Sequence, residues 1–211
     1  MTVVWCLAIG GARLFYLLKG VPLIRDNLLF FTSSLLLYLP AWALWRKKES
    51  IDFFERDFSD CLRSLKIFLI FCLILTPLIF GVNHFYQKIV FHAQYYPHSN
   101  SSLWKILFFQ IFLVALPEEF FFRGYFLKRM RSLFQDKFTF LGVKMGYAFF
   151  LTALIFALSH SLIVVRWWHF TIFFPALAFG WLREKTGFLS AGILFHALSN
   201  VFSAWAVLHY R

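Results

Sequence analysis

Glu118 and Glu119 stand inside an apolar run, Ile-Phe-Leu-Val-Ala-Leu-Pro-Glu-Glu-Phe-Phe-Phe-Arg-Gly, and of the ten acidic residues only these two are so placed. Ionisable groups at membrane depth are costly and persist where they face a bundle interior and find partners. Glu119 and Arg123 are four apart with the acid N-terminal, the favoured order for an ion pair on one helix face. Glu118 projects about 100° away and shares Arg123 less easily. One acid is therefore neutralised and the other is free for chemistry. Pro117 removes a backbone donor just before the acids, and Gly124 allows close helix approach just after them.

Two further apolar runs carry polar groups. One ends Phe156-Ala-Leu-Ser-His160, and the other contains His196-Ala-Leu-Ser-Asn200. His196 and Asn200, four apart, point into one cavity if their segment is helical. Peptide hydrolysis needs a water stripped of a proton and a donor for the developing oxyanion. A buried carboxylate or a His can take the proton, and a His and an Asn amide can donate. These parts are all here without a Ser or Cys nucleophile. Each has a plainer reading: a lone buried His or Asn packs, Glu119 with Arg123 is structural, and either acid serves an ion or proton path. The concurrence of two acids, an Arg, two His and an Asn on three apolar segments favours hydrolysis.

The elements that must position these groups are membrane helices. Hydrophobic residues make up 61% of the 211, 31 of them Phe, and mean hydropathy is +0.70, too apolar for one water-facing fold. A crossing needs about 20 mostly apolar residues. The sequence predicts an all-α polytopic transmembrane bundle with about seven spans, near 3–18, 28–45, 67–82, 103–126, 140–164, 168–182 and 188–208. Residues 1–102 are expected to supply N-terminal membrane helices plus an amphipathic surface helix at 46–66. Residues 103–211 form the catalytic membrane core of one integral domain. The first segment lacks a basic stretch ahead of it and carries Arg13, so it reads as a retained span, not a cleaved signal.

The net charge of +11 sits in short tracts between apolar runs, which excludes nucleic acid as a partner. Thirteen Lys or Arg fall in the connections at 46–66, 127–144 and 183–187, against Lys19, Arg25, Lys88 and Arg166 opposite. The positive-inside rule then places the N-terminus in the cytoplasm and the C-terminus outside. Cys6, Cys61 and Cys72 support neither a disulfide framework nor a zinc site. His84, His92 and His98 are assigned to a polar loop, and His169 and His209 to the membrane interface.

At these residues the chain resembles the CPBP family of glutamic intramembrane proteases, which includes type II CAAX prenyl endopeptidases and bacteriocin-processing enzymes. The family pattern is Glu-Glu-x-x-x-Arg, Phe-x-x-x-His and His-x-x-x-Asn. It is matched in order by Glu118, Glu119 and Arg123, by Phe156 and His160, and by His196 and Asn200. The resemblance covers roughly residues 103–205. It implies that Glu118 and His160 activate the water and that His196 and Asn200 form the oxyanion hole. Glu119 and Arg123 would support the site. No His-Glu-x-x-His helix occurs, so the expected site uses no metal and no cofactor. The expected activity is endoproteolysis, by direct attack of water, of a membrane-associated protein or peptide in a bacterial plasma membrane. The alternatives are a non-catalytic immunity or assembly factor and an ion or proton transporter.

Overall fold

A computed structural model describes residues 1–97 and 103–211. His98 lies outside the described residues. The chain forms helices α1 (Thr2–Leu17), α2 (Pro22–Asp26), α3 (Leu28–Arg46) and α4 (Phe58–Val90). A continuous helical run follows, made of α5 (Leu103–Phe109), π1 (Gln110–Ala115), α6 (Leu116–Glu119), π2 (Phe120–Phe126) and α7 (Leu127–Arg131). A hairpin, β1 (Asp136–Phe140) and β2 (Val143–Gly146), leads to α8 (Tyr147–Ile163). A 3-10 segment (Trp167–Ile172) precedes α9 (Phe173–Thr186) and α10 (Ser190–His209).

The fold is helical as expected, apart from this hairpin. The expected seven crossings reduce, among the described residues, to three helices long and apolar enough to span a membrane, namely α3, α4 and α10. Helices α1 and α8 are apolar but shorter, and the acid-bearing run 103–131 is divided between α and π winding. Helix α4 buries none of its most apolar stretch inside the protein, and Leu69, Leu73 and Ile74 are exposed on it. A bare face of that kind is stable against lipid tails, not water.

Three expected boundaries move. The fifth span begins at Tyr147, not near Phe140, because Leu141 (φ 47) and Gly142 (φ 77) turn the chain back. Two consecutive left-handed residues are what a tight hairpin requires, and the returning strand buries Val143 and Met145 near Phe149. The sixth opens as a 3-10 turn and ends at Thr186, where Gly187 (φ 89) caps α9. The amphipathic surface helix at 46–66 is not formed. Residues 49–57 are an irregular strap, and 58–66 are the first turns of α4, capped by Asp57, whose carboxylate accepts from Asp60 N at 2.8 Å.

The strap is held by its polar groups rather than by lipid. Glu49 pairs with Arg129 at 2.9 Å and Lys128 at 3.4 Å. The Phe53 carbonyl accepts from Leu189 N at 3.1 Å, and Glu55 accepts from Ser190 Oγ. Ile51 lies over Gly124, where an added Cβ would come within 3.1 Å of its Cδ1. The close approach expected at Gly124 is thus made by the strap and by Leu189.

Helix α1 is pinned to α8 by polar bonds at both ends. Trp5 Nε1 donates to Ser159 Oγ at 3.0 Å, and Arg13 Nη1 donates to the Ile163 carbonyl at 2.7 Å. Arg13, which interrupts the first apolar run, places a cation at the end of α8 where free carbonyls favour it. Helices α8 and α9 meet at Gly180, where a Cβ would lie 2.9 Å from the Phe149 ring.

Pro117 shapes the acid-bearing run. In a regular α-helix the Leu113 carbonyl would accept from residue 117, and proline has no N–H to give. Ser33 on α3, which is buried, supplies a donor instead: its Oγ donates to Leu113 O. The winding is π on both sides of the Pro-Glu-Glu step, a geometry frequent at functional sites. Ser33→Ala is expected to destabilise the protein by about 0.5–1.5 kcal/mol, the net worth of one intramolecular hydrogen bond. In a Pro117→Ala background, where residue 117 regains its N–H, the same change should cost measurably less. Thermal midpoints of the four combinations decide this, and equal costs in both backgrounds would refute the coupling.

Candidate active site

Three helical elements deliver the acid and the two imidazoles to one place. Glu118 Oε2 lies 3.7 Å from His160 Nε2 and 3.7 Å from His196 Nε2. This oxygen is buried and has no hydrogen-bond partner among the described residues. The late start of α8 matters here, because residues 141–146 are spent in the hairpin and His160 then falls in the last turn of a short helix.

The other ring nitrogens fix which way each imidazole works. His160 Nδ1 contacts the Phe156 carbonyl at 2.9 Å. A carbonyl only accepts, so Nδ1 carries the hydrogen and neutral His160 presents a bare lone pair at Nε2. His196 Nδ1 contacts Glu119 Oε1 at 2.9 Å, and that carboxylate also takes Arg123 Nη1 at 2.8 Å. His196 Nδ1 is therefore a donor as well. In the neutral state two imidazole lone pairs and one carboxylate face each other, three acceptors with no donor among them. Protons from a water, or an imidazolium, satisfy such a set.

The expected Glu119–Arg123 pair is present and fully enclosed, with side chains 0% and 2% exposed. Arg123 Nη2 also donates to the Ala176 carbonyl at 2.9 Å, tying the run to α9. Its guanidinium lies 4.3 Å from the centre of the Phe156 ring, close enough for a cation–π contact. Phe156 is the hub of the cluster. Its ring stands edge-on to His160 at 4.7 Å and to His196 at 5.9 Å. His196 is stacked on Phe179 at 4.4 Å. Both imidazoles are thus clamped by aromatic faces and a hydrogen bond, which sets the aim of each Nε2.

Asn200 sits one turn beyond His196 on α10, as spaced. Its Nδ2 donates to Gln110 Oε1 at 2.8 Å. Gln110 was not singled out from the sequence, although an amide in an apolar run was a legible signal. Its own position depends on the π turn it opens, which sequence does not announce.

A cavity of about 490 Å³ reaches Glu118 and His160. Its walls come from α1, α2 and α3 as well as the core, through Ile9, Tyr16, Arg25, Asp26, Thr32 and Ser33. The first hundred residues, which carry no recognisable motif, thus supply much of the wall. His169, expected at the membrane interface, lines this cavity, its ring 6.1 Å from that of His160. His209, the last residue of α10, is buried and stacked on Trp205. His84, expected in a loop, lies within α4 and meets the Tyr210 hydroxyl at 2.7 Å.

Residues 100–202 match the family described as type II CAAX prenyl endopeptidase Rce1-like. The matched segment contains Gln110, Glu118, Glu119, Arg123, Phe156, His160, His196 and Asn200, and leaves out the α1–α3 wall of the cavity. No curated protein and no solved structure matches the chain.

Proposed function

Residues 100–202 form an Rce1-like domain consistent with the CPBP family, and from that premise we propose that the chain is a glutamic intramembrane endopeptidase. It cleaves a membrane-associated protein or peptide by direct attack of water. The observation that carries the reading is Glu118 Oε2, buried without a hydrogen-bond partner among the described residues and held 3.7 Å from two imidazole Nε2 atoms.

In this mechanism a water between Glu118 and His160 gives up a proton to that pair as its oxygen attacks the scissile carbonyl. The tetrahedral oxyanion is met by His196 and Asn200. His196 Nδ1 already donates to Glu119, so its Nε2 donates only as the imidazolium. The Glu119 carboxylate lies 2.9 Å from that Nδ1 and holds the ring in place. Collapse breaks the C–N bond, and the proton taken from water passes to the leaving amine. Asn200 contributes through the amide hydrogen not given to Gln110. The site works without a metal or cofactor.

The test begins with peptides that accumulate uncleaved in cells carrying Glu118→Gln. On these substrates His160→Ala in reconstituted protein is expected to lower kcat by about 10²–10⁴-fold, with unchanged accumulation in membranes. A strong chelator is expected to leave wild-type turnover intact. Full turnover by His160→Ala would remove the water-activating pair. Loss on chelation with recovery on added zinc would make this a metal enzyme.

A further inference from the structure

One end of the catalytic cavity is lined by exposed polar residues, and that end lies away from the basic loops. Its outer lining is Tyr16 at the end of α1, Arg25 and Asp26 on α2, Leu28 and Leu29 at the start of α3, and Val164 after α8. Arg25 and Asp26 form an exposed ion pair, with side chains 64% and 61% accessible. Every one of these positions is at the end of the bundle that α3 leaves and α8 reaches. The thirteen basic residues of 46–66, 127–144 and 183–187 lie at the other end, where α3, α7 and α9 finish and α8 begins.

The path from Glu118 toward that basic end is filled. Phe121, Phe122, Tyr125, Phe126 and Leu127 are all buried along it. Beyond them Arg131 pairs with Glu184, and the strap is tied to Arg129 by Glu49.

Basic connections of membrane proteins are retained on the cytoplasmic side. We infer that the active site is approached from the non-cytoplasmic face. Its substrates are then exported chains, held in the bilayer by a lipid or an apolar anchor, whose scissile bond is presented on that face. The inference rests on the protease reading for what is cut. The side of access rests on the cavity and the charges alone.

Thiol labelling tests the side without any need for turnover. In a chain with Cys6, Cys61 and Cys72 replaced by serine, single cysteines are placed at the mouth (Lys19→Cys or Asp26→Cys) and at the basic end (Lys47→Cys or Lys137→Cys). All four positions are exposed. A membrane-impermeant maleimide added to intact cells is expected to label the mouth positions at least tenfold more than the basic-end positions. After permeabilisation the basic-end positions should label equally well. Two positions per end guard against one variant failing to fold. Labelling of the basic end in intact cells, or of both ends equally, overturns the inference and leaves the catalytic reading standing. The substrate class is read separately. Chains uncleaved with Glu118→Gln should carry the uncut junction outside, and junctions confined to the cytoplasm would overturn it. If labelling follows the inference while His160→Ala cleaves normally, the catalytic reading fails alone.

Discussion

Glu118→Gln is expected to reduce cleavage by about 10²–10⁴-fold, the usual contribution of a positioned acid–base group, while the protein accumulates in membranes at wild-type levels. The change keeps the shape of the side chain and removes its ability to take a proton. Its effect on stability should run the opposite way. With both imidazoles neutral, Glu118 Oε2 is a buried acceptor facing two imidazole lone pairs. A glutamine amide turned toward them offers two N–H donors where the carboxylate offers none. The thermal midpoint should therefore hold or rise as turnover disappears, the trade of stability for function seen at strained sites. Glu118→Ala separates the two effects, since it removes the base and supplies no donor. A Glu118→Gln protein that retains turnover would eliminate the carboxylate as the water-activating group. One that loses turnover only by failing to accumulate would mean that Glu118 holds the fold instead.

The chemistry of the site was legible because its spacing is short and its background is apolar. Glu119 with Arg123, and His196 with Asn200, are one-turn pairs, and two such groups share a helix face whatever the tertiary structure. Their buried surroundings follow from the apolar runs that contain them. The ends of the elements were harder to read, for identifiable reasons. Val143 and Met145 look like membrane-span residues by hydropathy, yet the Leu141-Gly142 turn makes them a strand. Ile51, Phe53 and Phe54 among charges mimic an amphipathic helix, but the acids there are committed to Arg129, Ser190 and the α4 cap. Gln110 and Ser33 were missed because each acts across a long sequence separation. Ser33 meets Leu113 and Gln110 meets Asn200 only after the bundle has closed. The π turns flanking Pro117 leave no pattern beyond the proline itself. The walls of the cavity share this problem, since Tyr16, Arg25 and Asp26 look like an ordinary polar connection until α1 is docked on α8.

Arg123→Ala is expected to cost about 3–5 kcal/mol, the penalty for stranding a buried charge, and to show as loss of folded protein before any loss of catalysis can be measured. Glu119 is wholly enclosed, and among the described residues Arg123 is the guanidinium or ammonium bonded to it. Removing the guanidinium also frees the Ala176 carbonyl and empties the space over the Phe156 ring. Arg123→Lys should recover only part of the yield. A lysine keeps the charge but lacks the planar fork that reaches Glu119 and Ala176 together while lying over an aromatic face. The double variant Glu119→Gln, Arg123→Met removes both charges, and it should accumulate better than Arg123→Ala alone. Its glutamine carbonyl can still accept from His196 Nδ1, so the ring stays aimed. Yet His196 loses the carboxylate beside its Nδ1, and cleavage should stay depressed even where folding recovers. Such a split between yield and turnover distinguishes a residue pair that serves His196 in the reaction from one that merely fills the core. Normal accumulation and melting of Arg123→Ala would show that Glu119 is not held as a charged group, and the protonation scheme assigned to His196 would fall with it.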